Sequence, residues 1–465
     1  MLTDAIEGAF TALEETIRSG PVYPQVSPEE IRQYLRSRYS FARTASLEDL
    51  TADVETMLGR WQVQVTHPRY FGLFNPSVTV ASVVADTLVA LYNPQLASWR
   101  TSPAANEIEK HTLDWIAGKL GMPADAFATF TTGGAEANLT AVLVALTHAF
   151  PKCGEQGLRS LSARPVFYLS EEAHHSFTKI AHMTGLGRQA LRTVPSDSNL
   201  KMDLTALQRL VEDDRMAGLY PFMVVGTCGT TAAGVIDPLE ALHAYCKAEN
   251  LWLHVDAAWG GAAALSPALR PHLAGIEFAD SITCDGHKWF SVPMACGMFF
   301  CRHRDAVLST FHAQTSYMPS PHSEDALDPY TSTVQWSRRF IGLKLFMSLA
   351  HNGEAGYAAM IEHQARMGDL LRELLTESGW RIVNRTSLPV VCFTRPGLNI
   401  PAFLARLKSE QIAWMSETQC AGQPVLRACV TSFKTTEVDV RFTVDGLNRI
   451  AAEKPVAPGT ADARQ

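Results

Sequence analysis

Between Ala128 and Cys301, short runs of β-branched and aromatic residues alternate with stretches of helical periodicity, and this alternation restricts the fold more than any other feature. The strand-like runs are ATFTT (128–132), PVFYL (165–169), QALRTV (189–194), FMVVGT (222–227), WLHVDA (252–257), SITCD (281–285) and GMFFC (297–301). Helical patterns fill the gaps from about Ala135 to Ala149, after His175, from Asp203 to Arg215 and from Pro238 to Asn250. Such alternation predicts an α/β fold with a mostly parallel sheet covered on both faces. Ligands of these sheets bind at the carboxyl ends of the strands, where the loops lie.

The flanks read differently. Thr3 to Arg18 carry Ile6, Phe10, Leu13 and Ile17 at helical spacing, and Gly20-Pro21 closes the segment. Ser27-Pro28-Glu29-Glu30 reads as an N-cap with Pro at the first helical position and acids in the first turn. The first seventy or so residues thus form two or three helices without a core of their own, and are expected to pack on another surface, a partner subunit being one candidate. His312 to Thr333 is rich in Ser, Pro, His and Asp and has no period, which predicts a lid over a site. After Lys344 come a helical stretch (351–378), LPVVCFT (388–394), a helix from Pro401 to Gln411 and VLRACVT (425–431), the α+β texture of a smaller domain. The expected divisions are an N-terminal helical segment (1–74), a large domain (75–343), a small C-terminal domain (344–453) and a disordered tail (454–465).

Composition removes several function classes. A chain of 465 residues buries a large core without disulfides or structural metal. Its 40 Lys and Arg against 47 Asp and Glu give a net charge of −7, which offers no general attraction to nucleic acid or anionic lipid. The nine cysteines are scattered with no CxxC pair, so neither a zinc ribbon nor a disulfide framework is indicated. The acidic start MLTDAIEGAF is unlike a secretory leader. The apolar stretch Val78 to Tyr92 is cut by Asp86 and falls short of a membrane span. The expected location is the cytoplasm.

Four features stand at the ends of predicted strands. Thr131 to Asn138 (TTGGAEAN) runs from a strand through a Gly turn into a helix, whose first amides suit a phosphate; alone, it is also an ordinary βα turn. His254-Val255-Asp256-Ala257-Ala258-Trp259 ends an apolar strand on a carboxylate, which is costly to bury unless it meets a cation or strong donor. Asp285-Gly286-His287-Lys288-Trp289 offers a lysine in partly apolar company, where a usable amine nucleophile is made. Glu172-Ala173-His174-His175-Ser176 has two adjacent histidines that point apart, a poor zinc pair but a source of one imidazole to lie flat on a ring.

Together these features resemble the group II amino-acid decarboxylases, a family of pyridoxal 5′-phosphate enzymes of fold type I that includes aromatic-L-amino-acid and glutamate decarboxylases. The resemblance spans about Tyr70 to Val440 and rests on TTGGAEANL, GTCGTTAAGVIDPLEAL, WLHVDAAWGG, IEFADSITCDGHKW and SRRFIGLKLF in that order. It implies a mostly parallel seven-stranded sheet in the large domain, a homodimer, and decarboxylation of an L-amino acid to its amine and CO2. By the same resemblance Lys288 would hold the cofactor, and Asp256 would pair with its ring nitrogen. His174 and Ala258 would cover the two ring faces, with Thr231 beside the ring. Gly134, Ala135 and His287 would meet the phosphate. Tyr317, in Thr315-Ser316-Tyr317-Met318, would return the proton to the α-carbon, and Arg427 matches a family arginine near the site.

Some positions depart from the family pattern or leave the substrate open. Ala135 replaces a common Ser, and Asp285-Gly286 replaces a common Asn-Pro, bringing a carboxylate toward the phosphate end. Tyr70 to Pro76 (YFGLFNP) resembles the pocket-lining stretch of the aromatic branch, so Phe71 and Phe74 are expected beside a large apolar substrate. Arg100 is a candidate partner for an acidic substrate such as glutamate, aspartate or cysteine sulfinate. An oxygen-using aldehyde synthase is the further alternative; in the family that change accompanies loss of the tyrosine or the stacking histidine, and both Tyr317 and His174 are present.

Overall fold

Seven strands form the central sheet: β1 (Phe127–Thr131), β2 (Pro165–Ser170), β3 (Leu191–Val194), β4 (Tyr220–Thr227), β5 (Trp252–Asp256), β6 (Ser281–Asp285) and β7 (Gly297–Cys301). Their order is β1-β7-β6-β5-β4-β2-β3. The structure is a computed structural model, and it describes residues 20–75, 77–313 and 328–453 together with positions 8, 11, 13, 14 and 17 of an N-terminal helix. Strands β2 to β6 pair in parallel, whereas β7 is antiparallel to both β6 and β1. The mostly parallel seven-stranded sheet is therefore as expected. The exception has a simple cause: residues 286–296 are too few to carry a crossover helix, so the chain turns back directly. Because β1 and β6 both oppose β7, they run the same way and end on the same edge as β4 and β5.

Strands β2, β5, β6 and β7 are buried along their whole length, as their unbroken apolar runs require of a sheet covered on both sides. One face packs Ile116, Leu253, Val255, Ile282 and Phe300; the other packs Phe167, Met223 and Phe299 against the helix Gly134–Ala149. That helix buries small residues (Ala137, Ala141, Val144), so it lies close to the sheet.

A long helix, Leu343–Glu377, leads from this core to the second sheet and is broken at Gly353, whose φ of 67° leaves the helical region. It starts eight residues before the periodic stretch read from the sequence. The second sheet, β8 (Arg381–Ile382), β9 (Val390–Thr394), β10 (Ser416–Cys420) and β11 (Gln423–Cys429), is antiparallel in the order β10-β11-β9-β8. Helices Ile400–Ser409 and Glu437–Ala452 accompany it.

Near the N-terminus, Ser27 caps the helix Pro28–Arg38 in a reciprocal box with Glu30, and Ser46 caps Leu47–Trp61. Between them these helices bury only Asp53, which accepts from Tyr34, Tyr39 and Arg38. Leu35, Leu47, Val54 and Leu58 remain exposed. The apolar stretch before Tyr92 is the helix Val80–Tyr92, and among the described residues no helix is long and apolar enough to cross a membrane.

Two buried histidines tie stability to pH. Burial pushes His67 and His254 down from 6.5 to about 4. Both are neutral in the folded chain, while the unfolded chain takes up their protons near 6.5, so their contribution is complete above that pH and is lost as pH falls toward 4. Each then costs up to about 3 kcal/mol. Denaturant unfolding measured from pH 7 to 4 should show this decline, and H67N should flatten its slope by about one proton.

Candidate active site

At the carboxyl edge of the large sheet lies a cavity of about 380 Å³. Phe74, Gly134, Ala135, His174, Thr231, Asp256, Ala258, His287 and Lys288, all singled out in the sequence, line it together. Each arrives on a short connection. Asp256 ends β5 and Asp285 ends the neighbouring β6. Lys288 rides the direct turn from β6 to β7, whose base is closed by Gly286 N–H donating to Cys296 O at 2.7 Å. The β1 turn delivers the start of the helix Gly134–Ala149.

That helix start is built for close approach. Gly133 offers no capping side chain, so the first amides are left for a ligand. A Cβ on Gly134 would fall 2.9 Å from Asp285 Oδ2 and 3.2 Å from the Ala258 methyl, so only glycine lets the turn settle there. Glu136, in the same turn, is held by the Thr132 amide at 2.8 Å and hydroxyl at 2.6 Å, and by Gln335 Nε2 at 2.8 Å.

Lys288 Nζ lies 3.0 Å from Asp285 Oδ2. Burial opposes its charge, but Asp285 and then Asp256 outweigh that and hold the ammonium above the ordinary lysine range. Asp285 is itself buried; its other oxygen, Oδ1, has no hydrogen-bond partner among the described residues. His287 accepts the Cys296 amide on Nδ1 at 3.1 Å, and burial lowers its proton affinity, so its Nε2 carries the hydrogen. His174 accepts the Ser176 amide on Nδ1 at 3.2 Å and is likewise held neutral by burial. Asp256 is buried and accepts Ala258 N–H at 3.1 Å and Asn138 Nδ2 at 2.8 Å.

Away from the charged end the wall is aromatic. Trp259 stacks on Trp289 with centroids 5.1 Å apart at 18°, and Phe74 lies 4.5 Å from Trp259. The Arg427 guanidinium covers Phe74 at 4.7 Å. Phe74 has a φ of 68°, an unusual conformation for a residue with a side chain, and one that turns its ring into the cavity.

Three expected residues stand elsewhere. Phe71 is fully buried in the core beside the second sheet; its backbone pairs with Trp414 and Cys429, which fixes the ring away from the cavity. Arg100 is exposed on the short turn Trp99–Thr101, where its charge stays hydrated, and does not line the cavity. Arg427 approaches without lining it: Nε donates to the carbonyls of Thr231 and Ala232, and Nη1 to that of Gly72. Tyr317 lies outside the described residues. Sequence reading missed Asn138, Trp259 and Met294 as wall residues; a polar amide inside an apolar helix was the available sign for the first.

The donor set fits the pyridoxal 5′-phosphate that the sequence resemblance implies. One amine, a carboxylate at the floor, an imidazole at the rim and a glycine cradle of amides converge on a single cavity, and the cradle admits no Cβ.

The chain is similar to known proteins along most of its length. Residues 28–395 match the model of the pyridoxal-dependent decarboxylase conserved domain. The chain is 31% identical over 377 residues to the L-2,4-diaminobutyrate decarboxylase of Acinetobacter baumannii, covering 78% of this chain and 74% of the relative. It is 30% identical over 463 residues to the aromatic-L-amino-acid decarboxylase of Sus scrofa, covering 94% and 93%. Its fold is similar to the crystal structure of mouse CSAD in apo form, with a TM-score of 0.88 at 25% identity over 96% of this chain and 99% of that one.

The Lys288–Asp285 pair makes a direct prediction. Removing the carboxylate with D285N withdraws the larger of the two attractions on the ammonium, so Lys288 should lose its proton at lower pH. Acylation of Lys288 in cofactor-free protein, followed by mass spectrometry across pH, reads this directly. An unchanged midpoint would show that Asp285 does not hold the charge.

Proposed function

The chain belongs to the pyridoxal-dependent decarboxylases, and from that premise we propose that it acts on an aromatic or large apolar L-amino acid. It is a carboxy-lyase dependent on pyridoxal phosphate, and its reaction is amino-acid decarboxylation. The observation that carries the substrate reading is the wall of the cavity. Phe74, Trp259 and Met294 form its apolar side, and among the described residues Lys288 is the only Lys or Arg that lines it. An acidic side chain would meet no compensating charge there, and burying it unpaired is expensive. The aromatic-L-amino-acid decarboxylase of Sus scrofa, similar over nearly the whole chain, supports the same choice.

When bound, pyridoxal phosphate accepts the electron pair left on the α-carbon as the carboxylate departs as CO2. In our reading Lys288 would hold the group through its amine, and Asp256 would pair with the ring nitrogen and favour its protonated form by its charge. His174 and Ala258 would cover the ring faces, with Thr231 alongside. The amides of Gly134 and Ala135, with the Nε2 hydrogen of His287, would hold the phosphate. Arg427 acts through Phe74, clamping the ring that meets the substrate side chain. Tyr317, which lies outside the described residues, would return the proton to the α-carbon.

We also propose a homodimer. The two N-terminal helices leave Leu35, Leu47, Val54 and Leu58 exposed, which is what a surface covered by a second copy would present.

A panel of L-amino acids, with CO2, amine and peroxide measured together, tests the reading. The expected result is one amine and one CO2 per aromatic substrate, with no peroxide. Turnover of glutamate or aspartate in preference would overturn the substrate class, and aldehyde with peroxide would overturn simple decarboxylation. F74A should raise KM for aromatic substrates about 10-fold or more, since the clamped ring contributes both buried area and stacking.

A further inference from the structure

Beneath Asp256 runs a chain of buried polar groups that the reaction does not use directly. Asn138 Nδ2 lies 2.8 Å from Asp256 Oδ2, and Asn138 Oδ1 lies 3.0 Å from His254 Nε2. His254 Nδ1 lies 2.9 Å from Ser281 Oγ, which in turn accepts Trp252 Nε1 at 2.9 Å. Asn138, His254 and Ser281 are all at most 1% exposed. The topology places them: His254 precedes Asp256 by two residues on β5 and so shares its face, Ser281 is its register partner on β6, and Asn138 descends from the helix above.

The direction of this chain is fixed from both ends. An ionised carboxylate only accepts, so Asn138 must turn its NH2 toward Asp256 and its carbonyl toward His254. His254 must then carry its hydrogen on Nε2, which leaves Nδ1 bare to accept the Ser281 hydroxyl. An indole only donates, so Trp252 supplies the Ser281 oxygen. Every link runs one way, from Trp252 through Ser281, His254 and Asn138 to Asp256, and the orientation closes only if His254 is neutral. Burial holds it so, at about 4. An amide passes no proton under these conditions, so Asn138 orients the carboxylate and also insulates it from the imidazole.

We propose that Asn138 is a positioning residue that, braced by His254, fixes the orientation of the Asp256 carboxylate toward the cofactor ring. The inference rests on the reading of Asp256 as the partner of the ring nitrogen. N138D would set a second carboxylate against Asp256, and two such groups in contact share one proton. N138L would remove the donor and leave the His254 hydrogen without an acceptor. H254L would release the Asn138 amide, whereas H254Q keeps a donor for its carbonyl.

The test uses holoenzyme prepared with pyridoxal 5′-phosphate and reads two quantities other than turnover: the pH midpoint of the visible absorption band and the rate of cofactor loss on dialysis. D256N sets the direction and scale. N138L, N138D and H254L should move the midpoint the same way as D256N and speed cofactor loss about 10-fold, the effect of losing a hydrogen bond to a charged group. H254Q should stay near the parent, and the N138L/H254L pair should fall short of additivity, as linked groups do. Should N138L fail to fold, the H254L and H254Q pair carries the same comparison. A midpoint unmoved in N138L and H254L, with only thermal stability reduced, would overturn the inference while leaving the Asp256 reading intact. A midpoint unmoved in D256N would remove both.

Discussion

Two carboxylates at the ends of adjacent buried strands face one amine, and most of the site is arranged to make that tolerable. Asp256 and Asp285 are each almost fully buried, and an ion in such surroundings loses far more hydration than a single hydrogen bond returns. Asp256 is compensated by an amide on each oxygen, from Ala258 and from Asn138. On Asp285 the Lys288 ammonium, at 3.0 Å, and His287 Nε2, at 3.6 Å, both face Oδ2, while Oδ1 has no partner among the described residues. The two acids therefore differ in kind. One is held by neutral amide dipoles; the other leans chiefly on a single ammonium charge.

This asymmetry follows from where the sheet reverses. Because β7 turns straight back from β6, Lys288 sits three residues beyond Asp285 on a tight turn rather than on a helix, and its side chain folds onto the strand end. Asp256, on the parallel strand beside it, is followed instead by a compact turn, Gly260–Leu265, whose small residues lie buried against the sheet. The reversal thus provides a mobile charge beside a fixed one, and the glycine-lined start of the Gly134–Ala149 helix closes over both.

Much of this was legible in the sequence. The buried strands announce themselves as continuous apolar runs, and the residues that end them, Asp256 and Asp285, are polar punctuation at those ends. The turns and the Lys288 segment follow from the same pattern. What escaped has identifiable causes. β10 (SETQC) alternates polar residues on an exposed edge, so it carries no apolar signature. Phe71 and Phe74 are only three residues apart in one motif, yet the left-handed backbone at Phe74 sends its ring to the cavity while Phe71 joins the core beside the second sheet. No local pattern distinguishes them. Asn138 and His254 are 116 residues apart, and their link exists only once the helix lies on the sheet.

The aromatic column gives the two sheets a common interest in the site. Arg427 belongs to β11, Phe74 to the segment entering the large domain, and Trp259 and Trp289 directly follow Ala258 and Lys288. The guanidinium spends its Nε and Nη1 on the carbonyls of Thr231, Ala232 and Gly72, so its plane is fixed before it meets the Phe74 ring. The fixed Arg427 cation over Phe74 and Trp259 packed against it leave that ring little freedom, so this part of the cavity wall is preformed. The small sheet and the segment that carries Lys288 are consequently joined through a stack of four side chains, Arg427, Phe74, Trp259 and Trp289.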